Sequence, residues 1–85
     1  MDDHYYMWAL SECPFCLLAA EVLIKEKASF SVFAMDDEPE ELEALKRSRD
    51  WKTVPMIIYK DSSGKEELVG GFTDLKEWFD KLEEK

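Results

Sequence analysis

Basic charge is scarce in this sequence. Eleven Lys and Arg stand against twenty Asp and Glu, and the formal net charge is −9 at pH 7. That argues against nucleic acid as a partner, because phosphate contacts need clustered cations. It also repels anionic small molecules at long range, although screening over about 8–10 Å at physiological salt limits the penalty. Long hydrophobic runs are missing too: no stretch approaches the ~20 apolar residues of a membrane span. Met1–Leu10 has neither a basic n-region nor a long apolar run, so no signal peptide and no membrane partner are expected, and a cytoplasmic location is. Repeats, low-complexity segments and linkers are absent. Histidine is limited to His4, near a terminus expected to fray, and cysteine to Cys13 and Cys16. Zinc needs four ligands in a structural site, or three and a water in a catalytic one. A closed site within one chain would have to recruit carboxylates, so no metal is expected.

What is present suits one small domain spanning residues 1–85, with 46% hydrophobic and 36% charged residues. A chain this short buries one modest core and is only marginally stable, on the order of 5 kcal/mol. Tyr5–Leu10 reads as a buried strand and Pro14–Lys27 as a helix. The helix has Phe15, Leu17, Leu18, Val22, Leu23 and Ile24 spread round most of its circumference, which predicts packing on several sides. Phe30–Met35 is a second strand. Pro39 suits the first turn of an acidic helix running to about Arg49, with Leu42 and Leu45 inward. Pro55–Lys60 and Glu66–Val69 flank the turn "DSSGK" as a hairpin. After Gly70-Gly71, a last helix carries Leu75, Trp78, Phe79 and Leu82 at i, i+3, i+4 and i+7. The order β-α-β-α-β-β-α predicts an α/β domain with a mixed four-stranded sheet, its first two strands parallel through a right-handed crossover. Lys46, Arg47, Arg49 and Lys52 form the one basic cluster, readable as a local anion site or as a solvated helix end. Trp8 and Trp51 read as core or loop-packing aromatics, with Trp51 close enough to "TVP" to line a groove there.

The two cysteines stand in "SECPFC". A structural staple is a weak reading, since so short a loop yields little stabilisation and a reducing compartment opens it. A working dithiol suits the local pattern. Proline is favoured at the first helical position, so Pro14 puts Cys13 at the N-cap. A thiolate there faces the free N–H groups of Phe15 and Cys16 and the positive end of the helix dipole, which stabilise it. Glu12 works against that stabilisation. Cys16 lies one turn on, with Cβ atoms about 5–6 Å apart, close enough for a disulfide that forms and opens. Cys13 is then the exposed attacker and Cys16 the buried resolving thiol.

Two further segments, "KTVPMI" over Lys52–Ile57 and "LVGGFTDL" over Leu68–Leu75, occur at set spacings from "CPFC". With these three motifs the whole chain resembles the glutaredoxins, most closely the short bacterial and phage dithiol type. The resemblance implies a thioredoxin-like fold and a glutathione-dependent thiol–disulfide oxidoreductase, with glutathione as co-substrate and no tightly bound cofactor. It implies a cis Pro55, whose turn presents the backbone of Val54 beside Cys13; an extended peptide can pair there. It also implies a glutathione site at Lys52, Thr53, Val54, Pro55, Gly71, Thr73 and Asp74. The helix start at Thr73 would take the γ-glutamyl carboxylate and Asp74 the ammonium, although Asp74 with Glu77 could equally be a capping box. The implied partners are disulfide-containing or glutathionylated proteins, with a ribonucleotide reductase as a candidate on the resemblance alone, and a monomer is expected.

Two positions depart from the family pattern. Leu10 stands where a Lys or Arg usually meets glutathione's glycine carboxylate, which leaves Lys52 or the Arg47/Arg49 region to supply the cation. Leu18 replaces another basic residue and reads as core packing, with contact to a protein partner as the alternative. The rival readings are a redoxin fed by thioredoxin reductase, a dimer holding an iron–sulfur cluster through Cys13 and two glutathiones, which Pro14 disfavours, and a non-catalytic adaptor.

Overall fold

The computed structural model describes residues 3–83. Its elements are β1 His4–Ala9, α1 Pro14–Lys25, β2 Phe30–Ala34, α2 Pro39–Ser48, β3 Met56–Lys60, β4 Glu66–Gly70 and α3 Phe72–Glu83. The sheet order is β2-β1-β3-β4. β1 runs parallel to β2, with Met7 beside Val32, and antiparallel to β3, with Met7 beside Ile57. β3 and β4 form the closing hairpin. The thioredoxin-like architecture expected from the sequence is the one observed.

Alternation along β1 divides the sheet into two faces. Tyr5, Met7 and Ala9 are buried while His4, Tyr6 and Trp8 are half-buried, as period-two geometry dictates. On the first face α1 and α3 close the main core, in which Cys16, Ala19, Leu23, Leu75 and Phe79 meet Tyr5, Met7, Ala9 and Ile57. Trp78 Nε1 donates to the Tyr5 hydroxyl at 2.9 Å there. Over the second face, Leu45 and Arg49 at the end of α2 border a hollow with Tyr6, Trp8 and Phe33, and Trp8 stacks on Phe33 at 5.4 Å.

Several expectations need correction. Helix α1 packs on one side only. Cys16, Ala19 and Leu23 are its buried residues, whereas Phe15, Leu17, Leu18 and Ile24 are 40–64% exposed. Its neighbours are the sheet and α3, and β2 is the sheet's edge, so nothing among the described residues covers the outer flank. Leu18 is therefore not core. In α3 the apolar stripe runs out at Leu82, which is exposed.

Helix α1 also stops two residues early. Lys27 takes φ +58°, its N–H donates to Ile24 O, and Ala28 N donates to Leu23 O. This is a Schellman ending with lysine where glycine is usual. α2 ends the same way: Asp50 has φ +54°, Asp50 N donates to Arg47 O, and Trp51 N to Lys46 O. His4 is not frayed but lies in β1, its ring nitrogens 2.8 Å from the hydroxyls of Ser29 and Ser31.

The β3–β4 register shifts between Ile57, opposite Gly70, and Ile58, opposite Leu68. Val69 is thus the extra residue of a bulge. Bulges bend a strand and re-aim its downstream residues; here the chain after the bulge turns through Gly70, at φ +120°, into α3.

Candidate active site

Pro14 occupies the first turn of α1, and Cys13 is its N-cap, in extended conformation. The Cys13 carbonyl accepts from Cys16 N at 3.1 Å and Leu17 N at 3.3 Å. Its Sγ accepts from Cys16 N at 3.2 Å, so the sulfur occupies the capping position that a serine or aspartate oxygen usually fills. Both thiols are free, Cys13 half-buried and Cys16 buried. Burial, and then the neighbouring Cys13, pushes the Cys16 thiol up to about 12. Cys16 therefore stays protonated at neutral pH while Cys13 faces the helix start, an asymmetry that suits an attacker and a resolver.

Across from Cys13, the Val54–Pro55 peptide bond is cis. The Val54 carbonyl lies 3.9 Å from Cys13 Sγ and can accept from the thiol. Val54 is also one wall of a cleft of about 400 Å³. The cleft gathers Thr53, Val54, Pro55, Gly71, Thr73 and Asp74, six of the seven residues expected around glutathione, together with Phe15, Trp51 and Phe72. Cys13 stands at its edge, next to the Val54 wall. Phe15 is 57% exposed, and its ring lies 6.0 Å from that of Phe72. Sequence reasoning missed Phe72; its place between Gly71 and Thr73 was the available signal. Trp51 lines the groove, and its indole Nε1 is buried without a hydrogen-bond partner among the described residues.

Asp74 does not open α3. The helix begins at Phe72, Gly71 O accepts from Leu75 N, and Asp74, in the third helical position, turns back so that Oδ2 accepts from Gly71 N at 2.9 Å. This is the return half of a capping box, with Asp74 rather than Glu77 as the acid. Its Oδ1 is the oxygen left to meet an ammonium.

Lys52 is not a wall of the cleft. It is exposed and borders the adjoining hollow with Asp50, Trp51 and Thr53. Nor does the basic cluster converge on the site. Arg49 pairs with Glu66 at 2.6 Å on the side of the sheet away from Cys13, and Lys46 pairs with Glu43 at 3.0 Å and donates to the Lys52 carbonyl at 3.4 Å. Leu10 lies between α1 and β2 with Leu17 and Val32, outside the cleft. Among the described residues, the only charged side chain in the cleft wall is the Asp74 carboxylate, and no three His, Cys, Asp or Glu side chains are grouped to hold a metal.

The glutaredoxin family model matches residues 4–63, from β1 through the cis-proline turn to the β3–β4 turn. Gly71, Thr73 and Asp74 lie beyond the match. No curated protein matches the sequence closely enough to count as a relative. Among solved structures, the chain resembles glutaredoxin 1 from Francisella tularensis complexed with cacodylate. The TM-score is 0.71 at 23% identity, over 98% of this chain and 99% of that one. It also resembles a glutaredoxin from Brucella melitensis, with TM-score 0.65 at 22% identity over 95% and 80% of the two chains. At these identities the likeness is one of fold.

Proposed function

The chain belongs to the glutaredoxin family and is a thiol–disulfide oxidoreductase, and from that premise we propose that it uses glutathione to reduce protein disulfides and glutathionylated thiols through Cys13 and Cys16. The observation that carries the proposal is the sulfur of Cys13 at the N-terminus of α1, accepting from Cys16 N at 3.2 Å beside the Val54 carbonyl. A sulfur held there faces the free N–H groups of the helix start and is placed to attack an incoming disulfide.

With a protein disulfide, the Cys13 thiolate attacks one sulfur, a mixed disulfide forms, and the second sulfur leaves as a thiolate that takes up a proton. Cys16 gives up its proton, attacks Cys13 Sγ and releases the other sulfur, so the substrate gains two electrons and the enzyme holds a Cys13–Cys16 disulfide. One glutathione opens that bond, a second restores the dithiol, and glutathione disulfide leaves. With a glutathionylated thiol, Cys13 alone takes the glutathionyl group and a second glutathione removes it. In the cleft, the backbone of Val54 pairs with the glutathione peptide. The start of α3 at Phe72–Thr73 receives the γ-glutamyl carboxylate, Asp74 Oδ1 receives the ammonium, and Lys52 at the rim serves the glycine carboxylate.

A second reading draws on one specific feature: Leu10, where the family pattern has a cation, lies outside the cleft, and among the described residues no Lys or Arg lines the cleft wall. It favours a redoxin reduced by thioredoxin reductase. The experiment is reduction of a glutathionylated peptide by wild type, Cys16→Ser and Cys13→Ser, each with glutathione and, separately, with thioredoxin reductase. Glutathione-dependent activity in wild type and Cys16→Ser but not in Cys13→Ser is expected. Folded wild type that is inert with glutathione but reduced by thioredoxin reductase would overturn the glutathione site.

A further inference from the structure

We infer that the open sheet edge at β2 pairs with the same edge of a second copy, antiparallel and centred on Val32. β2 has β1 on one side, and no strand among the described residues lies on the other. In a parallel ladder, alternate residues of a strand turn both N–H and C=O toward the same neighbour. Ser29 O accepts from Tyr5 N, and Met35 N donates to Ala9 O. By alternation Ser31 and Phe33 also face β1, and Phe30, Val32 and Ala34 direct their backbone groups outward. Those three positions are symmetric about Val32. Antiparallel pairing then sets Val32 against Val32 and Phe30 against Ala34, and each pair exchanges both its bonds. A patch that complements itself is what a two-fold dimer requires.

Nothing on this edge guards against pairing. Soluble proteins blunt open edges with charge, proline or a bulge. "FSVFA" has no charge and no proline, and the bulge of this sheet lies between β3 and β4. Apolar surface flanks the edge on both faces: Val32 is 46% exposed and Phe33 41%, and on the Val32 side Leu17 and Ile24 of α1 are each 64% exposed.

The charges at the two ends of β2 select both the occupant and its direction. Lys25 and Lys27, with Glu26 between them, precede the strand, and Asp36, Asp37 and Glu38 come after it. Antiparallel pairing with a second copy lays the basic end of each strand beside the acidic end of the other. The −9 charge of each chain keeps the association reversible, and the expected monomer is the alternative that the test decides for or against.

The test is sedimentation equilibrium and amide exchange on the intact chain across a range of concentrations. The expected result is a reversible dimer in which the amides of Phe30, Val32 and Ala34 exchange about tenfold more slowly as the dimer fills. The amides of Ser31 and Phe33, bonded to β1 throughout, keep their rates. Val32→Lys abolishes the dimer without changing thiol–disulfide activity. Lys27→Asp weakens it, and Lys27→Asp with Asp37→Lys restores it, which tests the register even if Val32→Lys folds poorly. A monomer at every concentration overturns the proposal and leaves the edge to an extended segment of another protein. A dimer with unprotected Val32, or a charge swap that fails to restore it, overturns it as well.

Discussion

Gly70→Ala should be the most damaging single-methyl addition near the cleft, and the structure gives its size. A Cβ at Gly70 would lie 2.5 Å from Asp74 Oδ2, 2.7 Å from Cγ and 2.9 Å from Cβ. The residue also sits at φ +120°, a region that costs an L-residue roughly 1–3 kcal/mol. Asp74 could swing away, but only by giving up its 2.9 Å bond from Gly71 N, and a hydrogen bond to a charged group contributes about 1.5–3 kcal/mol. Taking values near the lower ends gives a loss of about 3 kcal/mol, which lowers Tm by roughly 12–24 °C in a domain of this size. The neighbouring Gly71→Ala is the control: its Cβ meets Pro55 O and Trp51 Cζ2 at 3.6 Å, ordinary contact, and should cost less than about 1 kcal/mol. Urea titration and calorimetry of both variants, with Asp74→Ala and the Gly70→Ala/Asp74→Ala pair, complete the measurement. The pair should be less destabilised than the sum of its members by about 1 kcal/mol or more, because the lost Gly71 N–Asp74 bond is counted once. Gly70→Ala within about 1 kcal/mol of wild type, or additive behaviour of the pair, would refute the reasoning.

Two further outcomes concern buried groups. The folded-state value of Cys16 is raised to about 12 by burial, so the folded chain holds a proton that the unfolded chain releases near pH 9. Its contribution is complete below about pH 9 and is lost as pH rises toward 12, at up to about 1.4 kcal/mol per pH unit. The difference in unfolding free energy between reduced wild type and Cys16→Ala should carry that slope and be flat at about pH 7 to 8. Trp78→Phe removes the donor to the buried Tyr5 hydroxyl and should cost about 1–2 kcal/mol. Adding Tyr5→Phe should recover part of that loss, and no recovery in urea unfolding would show that the bond contributes nothing.

Much of the candidate site's local geometry was legible because it depends on short-range rules. Pro14 after Cys13 put the thiol at a helix N-cap, and the sulfur is found accepting from Cys16 N. The 3.6-residue spacing in α3 placed Leu75 and Phe79 on the buried face, whereas Tyr5–Leu10, read as a buried strand, alternates between buried and half-buried residues. The end of α1 was not legible, because Lys27 fills the left-handed position where a sequence reader looks for glycine or asparagine. The buried face of α1 was not legible either. Its apolar residues surround the helix, and only the position of β2 at the sheet's edge determines which remain in water.

Local sequence by itself determined the element order, the dithiol and its helix cap, and the hairpin turn, since each is set by the conformational preferences of a few adjacent residues. Tertiary structure alone decided which distant groups meet. It set Val54 across from Cys13 and turned Asp74 back onto Gly71. It drew Arg49 away to Glu66, and it left Lys52 at the rim and β2 open. Those relations depend on how strands order and helices pack, an energy summed over the whole core that no short stretch of the chain contains.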